Sequence, residues 1–149
     1  FMLTEEFMFA ALRQAMLARD HGEVPVGAVI VKNSEIIGMG FNTVIKDQSV
    51  SSHAEINAIN DAGRVLKNYR LLNCDLYVTL EPCHMCAKAI VDARIKKVIF
   101  AAPEPKTGSI ISIDNFFNKS FLNHKPDYAH GILEQESGEL LKNFFKNKR

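Results

Sequence analysis

Residues 75–86 read DLYVTLEPCHMC, a short apolar run that passes through a proline into two cysteines. The first six residues have the length and composition of a buried strand. Pro82 suits the first turn of a helix, which we predict over residues 82–93. Cys83 and Cys86 then lie on one face of that helix. The positive end of the helix lowers thiol pKa values and favours the thiolate form that binds a metal.

A second passage from strand to helix lies earlier in the chain and carries a histidine and a glutamate. Apolar and alternating residues predict two strands, 26–31 and 35–42, which pair as a hairpin through a polar turn. A helix follows over about 51–65, with His53 and Glu55 near its start. The positive helix end disfavours the imidazolium, so we expect His53 to be neutral and able to bind a metal.

The remaining segments continue an alternation of helices and strands. We predict a first helix that Thr4 caps, a strand over 97–101 and a last helix over 132–145. This order is typical of an α/β fold, here a three-layer α/β/α sandwich formed by one domain of residues 1–149.

The order of the strands determines whether the two motifs can meet. We expect strand 75–80 to be the parallel partner of strand 35–42, so that right-handed crossovers place both helix starts at one edge of the sheet. His53 and Cys83 are then neighbours, although thirty residues separate them.

Residues 102–131 give the weakest pattern, because two prolines and a glycine interrupt them. A short strand over 110–113 is one interpretation, and a helix that begins with 113–117 is the other. Both alternatives stay open from the sequence.

The composition limits which classes of protein and which binding partners are possible. The 149 residues are 47% hydrophobic and 23% charged, as in a globular domain, and no apolar run nears the roughly 20 residues of a membrane span. We therefore predict a cytoplasmic protein without a membrane partner. A net charge of +1 means that nucleic-acid binding requires a local basic patch, and three cysteines predict no disulfide partner.

The histidine and the two cysteines together predict a site for Zn²⁺, with one ion per chain. A structural zinc site usually has four protein ligands, whereas His53, Cys83 and Cys86 are three and leave a position for water, as in a catalytic site. Two thiolates already neutralise the dication, so the water needs a nearby base. We predict that Glu55 is this base, because two residues from His53 it lies beside the metal rather than on it.

Each half of this pattern also has a simpler interpretation. Ser52 and Glu55 match a capping box, in which Glu55 would only accept the backbone N–H of Ser52. The cysteines alone fit a redox pair or half of a structural zinc module without catalysis. Such a module would take its fourth ligand from Cys74, His84, His124 or His130, none of which stands at a recognisable ligand spacing.

Five stretches resemble the bacterial tRNA-specific adenosine deaminases of the cytidine deaminase superfamily: EVPVGA at 23–28, YVTLEPC at 77–83, KTG at 106–108, NH at 123–124 and FFKNKR at 144–149. The resemblance implies a mixed five-stranded sheet, a homodimer, and conversion of the wobble adenosine of an arginine tRNA to inosine. It also implies that His53, Cys83 and Cys86 hold zinc, that Glu55 shuttles protons and that Asn42 contacts the target base. The chain departs from the family pattern at 49–52 and 109–112, which read SVSS and SIIS.

The substrate class rests on weaker signals. The tail of residues 142–149 contains four cations and no acid, with two phenylalanines among them. We predict that Phe145, Arg149 and Lys106 contact the anticodon loop of a tRNA, by stacking on bases and neutralising phosphates. The alternatives are a frayed, solvated helix end and a deaminase of a free base or nucleoside such as guanine or cytosine.

Overall fold

One mixed sheet with helices on both faces forms the protein, and the computed structural model describes residues 2–148, with side chains from Thr4 onward. Five strands within residues 2–148 pair in the order β2-β1-β3-β4-β5. The elements are α1 (Met2–Asp20), β1 (Gly27–Lys32), β2 (Glu35–Phe41), α2 (Val44–Asp47), α3 (Ala54–Leu66), β3 (Asp75–Leu80), α4 (His84–Asp92), β4 (Lys97–Ala102), a 3₁₀ turn (Phe116–Asn118), β5 (Asp127–His130) and α5 (Glu134–Asn147). The predicted α/β class is confirmed.

The sheet corrects one pairing that the sequence suggested. Strand β1 lies between β2 and β3 and is antiparallel to both, so β2 and β3 are not direct partners. Strands β2 and β3 nevertheless run in the same direction, and β4 and β5 continue parallel to β3. The helices that follow β2 and β3 therefore still begin at the same edge of the sheet.

The hairpin between β1 and β2 turns through two residues in the left-handed region. Asn33 and Ser34 have φ values of 52° and 63°, the conformation of a two-residue turn whose twist matches the flanking strands. Lys32 pairs with Glu35 across this turn. The predicted hairpin is confirmed; the tight turn sets the register next to it, and an irregularity between Ile30 and Val31 shifts the register of the remaining pairs.

The three central strands are buried on both faces, which explains why they read as almost continuous apolar runs. On one face, Ala28 and Ile30 of β1 join the core formed with α3 and α4. On the other face, Val29 and Val31 join the core formed with α1. Helix α5 contacts α1, β3 and β4. These layers are the predicted α/β/α sandwich.

Two glycines of β2 allow α3 to lie unusually close to the sheet. A Cβ on Gly40 would lie 2.5 Å from the backbone nitrogen of Ala58, and one on Gly38 would lie 2.7 Å from the carbonyl oxygen of Ala58. Real Cβ atoms do not approach backbone this closely, so side chains here would force the helix outward. The close packing fixes the position of α3, and with it the residues at its start.

The segment that gave the weakest sequence pattern holds the fifth strand. Strand β5 (Asp127–His130) pairs with β4, whereas residues 110–113 form a turn, so the predicted strand there is wrong. The 3₁₀ turn Phe116–Asn118 is shorter than the alternative helix. Thr4 lies inside α1, which begins at Met2, so its predicted capping role is also wrong. No helix among residues 2–148 is long and apolar enough to cross a bilayer.

Candidate metal and catalytic site

Two helix starts meet at the sheet edge and bring three metal-binding side chains together. His53 is the N-cap residue of α3 and Cys83 is the N-cap residue of α4, both with extended backbone. Cys86 follows in the first turn of α4 and is fully buried. The strand, the cap and the first helical turn therefore set the position of each donor.

The donor atoms have the spacing that a zinc ion requires. The Nδ1 atom of His53 lies 3.7 Å from Cys83 Sγ and 3.5 Å from Cys86 Sγ. All three donors lie within 4.8 Å of one another. Tetrahedral coordination with Zn–S bonds of about 2.3 Å and a Zn–N bond of about 2.1 Å needs S···N distances of about 3.6 Å. The residues present thus fit zinc in both chemistry and spacing.

The two cysteine side chains are hydrogen-bonded to each other. A hydrogen bond from Cys86 is the main cause that lowers the pKa of Cys83 to about 3, and the same bond raises the pKa of Cys86. The bond with Cys83 also raises the pKa of His53, against the opposing effect of burial, and this shift is opposite in direction to the one expected from the helix start. A divalent cation would bind both sulfurs as thiolates, because metal binding selects the deprotonated ligands.

The residues that could have supplied a fourth ligand have other partners. Of the described residues, only His53, Cys83 and Cys86 group closely enough to share a metal ion. No disulfide forms, since all three cysteines of the chain are free. The other candidates are engaged elsewhere: Cys74 with the Leu72 carbonyl, His84 with Asp114, His124 with the Ile95 carbonyl, and His130 with the ring of Phe100.

Glu55 lies beside the metal donors and is buried, with only 4% of its surface exposed. Burial raises the pKa of its carboxyl to about 7, so at neutral pH the group can both take up and release a proton. The capping interpretation is wrong, because His53 is the N-cap residue and the Ser52 N–H binds the Ser49 carbonyl. Glu55 therefore does not close a capping box with Ser52.

A cavity of about 200 Å³ opens beside these groups. Its wall includes His53, Glu55 and Cys83, together with the side chain of Asn42. Asn42 is 8% exposed, and its Nδ2 donates to the Val24 carbonyl at 3.4 Å. The rest of the wall is Val24, Val26, Ala54, Leu80, Glu81 and Thr107. A wider groove of about 520 Å³ lies along β2 but contacts none of the metal donors.

The predicted RNA contacts lie outside this cavity. Lys106 is exposed next to Thr107, at the mouth of the cavity. Phe145 is 48% exposed near the end of α5, with its ring against Phe144 at a centroid distance of 5.4 Å. Arg149 lies outside the described residues. The structure thus brings Asn42 into the site, whereas contacts of Lys106, Phe145 and Arg149 with RNA stay predictions.

Two buried carboxylates were not predicted from the sequence: Glu81 in the cavity wall, and Glu23 next to the wall residue Val24. Glu23 is 1% exposed and accepts the backbone N–H groups of Ile45 at 3.0 Å and Lys46 at 2.8 Å. These bonds fix the segment that follows Asn42. Glu81 likewise accepts backbone N–H groups of another loop, residues 104–112. Both lie in stretches that carry the family resemblance, but their partners are more than twenty residues away, so no local pattern reveals what they do.

Comparisons with known proteins agree with this geometry. The profile of the cytidine and deoxycytidylate deaminase zinc-binding region matches residues 2–102. The chain is 47% identical to a tRNA-specific adenosine deaminase of Aquifex aeolicus over 145 residues, which cover 97% of this chain and 95% of the relative. It is 41% identical to the tRNA-specific adenosine deaminase of Bacillus subtilis over 145 residues, which cover 97% of this chain and 90% of the relative. The predicted zinc cofactor is confirmed by the zinc-binding family match and the donor group.

Two solved structures resemble the fold with different degrees of similarity. One, from work on A-to-I editing by tRNA:A34 deaminases at the wobble position, has a TM-score of 0.89 and 43% identity and covers 91% of this chain and 99% of its own. A guanine deaminase of Nitrosomonas europaea has a TM-score of 0.78 at 21% identity, covering 94% of this chain and 83% of its own. The second shows a shared fold alone.

Proposed function

Because the chain belongs to the zinc-binding cytidine and deoxycytidylate deaminase family, we propose that it converts the wobble adenosine of a tRNA anticodon, that of an arginine tRNA, to inosine with release of ammonia. One observation carries the chemistry: a buried carboxyl, Glu55, shares a small cavity with two of the three zinc donors. The substrate rests on relatives of 41–47% identity over nearly the whole chain, which are tRNA-specific adenosine deaminases. A tRNA substrate also supports the proposal that the protein acts in the cytoplasm.

His53, Cys83 and Cys86 would hold the zinc ion, which when bound acidifies a water and so supplies the nucleophile. Glu55 accepts the proton that this water loses. It then delivers the proton to the ring nitrogen next to the reacting carbon and assists the amine as it departs as ammonia. The buried position of Glu55 supports this role, since burial raises the pKa of its carboxyl and so favours uptake of a proton.

Asn42 orients the base against these groups. The two hydrogen bonds of its side chain, to the Val24 carbonyl and from the Val44 N–H, are both long at 3.4 Å. An amide held this weakly keeps capacity to bind the edge of a base. Val24, Val26 and Leu80 form apolar walls that exclude water around the ring.

Detection of inosine in tRNA tests the proposed function. The zinc-loaded protein is incubated with total tRNA and, in parallel, with free adenine, adenosine, guanine and cytosine. We expect inosine in the digested tRNA and ammonia release from tRNA alone. Ammonia from free guanine or cytosine, with no inosine in tRNA, would instead support a free-base deaminase. Absence of ammonia from every substrate would support a structural zinc module.

The protein is further proposed to form a homodimer. Ile113 and Phe121 are 47% and 68% exposed. Phe121 packs on Phe116, which in turn contacts His84 of α4, so this apolar surface lies beside the site. Sedimentation at micromolar concentration should give twice the 16.7 kDa of one chain. Phe121→Asp should weaken the dimer. A wild-type monomer at that concentration would contradict the proposal.

Removal of residues 145–149 is expected to weaken tRNA binding while zinc content and fold stay unchanged. The deletion removes the exposed ring of Phe145, whose stacking on a base is worth about 1–3 kcal/mol, and three cations. Each lost phosphate contact should reduce the slope of log K against log salt by about 0.7 on a single-stranded loop. Binding is measured over a salt series.

Two point variants separate the contributions within this tail. Phe145→Ala should weaken binding without changing its salt dependence, whereas Lys146→Gln combined with Lys148→Gln should reduce the salt dependence. Lys148 lies over the ring of Phe144 at 5.4 Å, so its charge is held near the helix. If the truncated protein binds and deaminates tRNA as the full chain does at every salt concentration, the tail has no role in RNA binding.

A further inference from the structure

Residues 104–112, here called the 104–112 loop, border the mouth of the cavity. The loop supplies Thr107 to the cavity wall and presents Lys106 to solvent. It contains turns rather than a helix or strand, so its backbone N–H groups lack the partners that regular structure provides. Such groups must find acceptors elsewhere when they are buried.

One buried carboxylate supplies most of these acceptors. Oε1 of Glu81 accepts the Glu104 N–H at 3.0 Å. Oε2 accepts the N–H groups of Ile110, Ile111 and Ser112 at 2.9, 2.7 and 3.0 Å. The Ser112 hydroxyl also donates to Oε1. Glu81 thus binds both ends of the 104–112 loop through five hydrogen bonds, and only 3% of its surface is exposed.

The loop packs directly against this carboxylate. A Cβ added to Gly108 would lie 2.3 Å from Oε1 of Glu81 and 2.6 Å from the Glu104 carbonyl oxygen. Burial alone would raise the pKa of Glu81, but the bonds from Ser112 and from the loop backbone outweigh it and lower the pKa. An ionised acceptor forms stronger hydrogen bonds than a neutral one.

Glu81 itself is held rigidly by the catalytic framework. It follows the last residue of β3 and stands two residues before the zinc donor Cys83. Its own N–H binds the Ala102 carbonyl at the end of β4. A rigid anchor on the sheet edge therefore sets the distance between the metal donors and the loop.

We propose that Glu81 is a positioning residue that holds the 104–112 loop in its substrate-binding conformation before tRNA arrives. The inference rests on the proposed function, because the loop residues it orders are those that face the substrate. Without the carboxylate the loop samples other conformations, and tRNA must select the competent one. If the loop is competent in about one molecule in ten, the apparent affinity falls about tenfold. Once tRNA is bound, the loop is ordered and the chemistry is unchanged.

The test compares Glu81→Gln with wild type and with a matched control. Glutamine keeps the shape but replaces one acceptor oxygen by an amide group that faces backbone N–H donors. Ser112→Ala is the milder second variant, since it removes one hydrogen bond and leaves the carboxylate. Asp61→Asn is the control, because Asp61 also accepts a backbone N–H from another element, that of Met39 at 2.9 Å, outside the cavity.

For Glu81→Gln we expect a KM for tRNA at least about tenfold higher, kcat within about threefold of wild type, and unchanged zinc content. Ser112→Ala should shift KM in the same direction by a smaller factor, and Asp61→Asn should leave it unchanged. Hydrogen exchange at the amides of residues 110–112 should accelerate at least about tenfold in Glu81→Gln, and this holds whether or not tRNA is the substrate.

The outcomes separate failure of this proposal from failure of the proposed function. If the wild type makes no inosine, the proposed function fails, while accelerated exchange at residues 110–112 would still support the positioning role. A lower kcat at unchanged KM, a loss of zinc, or amides that keep their protection in both Glu81→Gln and Ser112→Ala would overturn the positioning role.

Discussion

Zinc-loaded Glu55→Ala protein is expected to keep its fold and its metal yet lose tRNA deamination by more than about 10⁴-fold. A single acid–base group typically contributes 10²–10⁴-fold, but Glu55 serves successive proton transfers, so its removal affects each of them. The three zinc donors belong to other side chains, which is why metal content should not change. The measurements are zinc per chain, the unfolding midpoint and the single-turnover rate of inosine formation.

Glu55→Gln is the matched variant for this experiment. Glutamine has nearly the same volume, so it leaves no cavity at a residue that is 4% exposed, and it cannot carry the proton. We expect it to be about as inactive as Glu55→Ala. Retained deamination in both variants would contradict the catalytic role.

The metal donors could be predicted from sequence because local signals set their positions. Pro82 marks the start of a helix directly after a strand, and the two cysteines follow within one turn. His53 likewise caps the helix that follows β2. Each motif is short and self-contained, so only the strand directions were needed to bring the two together. Those directions were predicted correctly, although the position of β1 between β2 and β3 was not.

The fifth strand could not be assigned, because long-range contacts stabilise it rather than its own residues. Strand β5 has four residues, Asp127–His130, of which three are exposed. It follows Pro126 and pairs only with β4. A short polar edge strand of this kind lacks the alternation that identifies a strand in sequence, so its pairing with a buried parallel neighbour determines its conformation.

The conformation of the loops at the site could not be predicted from sequence for a related reason. Residues 104–112 look like an interrupted apolar segment, yet their conformation follows from one carboxylate, Glu81, more than twenty residues earlier. Glu23 fixes the segment after Asn42 in the same way. Sequence patterns reflect local conformational preferences. A buried acceptor that binds distant N–H groups produces no periodic pattern in the sequence. The chemistry of the site was therefore easier to predict than the shape of its walls.

Cys86→Ala is expected to lose zinc, stability and deamination together. Cys86 is fully buried in the first turn of α4, and its Sγ lies 3.5 Å from His53 Nδ1. Without it the site keeps two donors. Loss of an outer partner of a metal ligand already weakens metal binding about 10–100-fold, so loss of a ligand itself should weaken it further. The expected measurement is less than about a tenth of the wild-type zinc content after dialysis.

The stability of Cys86→Ala should no longer depend on metal, since zinc binding and folding are coupled. Zinc at 100 times its dissociation constant stabilises the folded state by about 2.7 kcal/mol, which for a chain of this size shifts the unfolding midpoint by roughly 5–10 °C. A chelator should therefore lower the midpoint of wild type but not that of Cys86→Ala. Cys74→Ala is the matched control, because Cys74 is an equally buried thiol outside the donor group, and it should keep zinc, activity and chelator sensitivity. Full zinc occupancy in Cys86→Ala, or loss of zinc in Cys74→Ala, would contradict the assignment of the metal site to the start of α4.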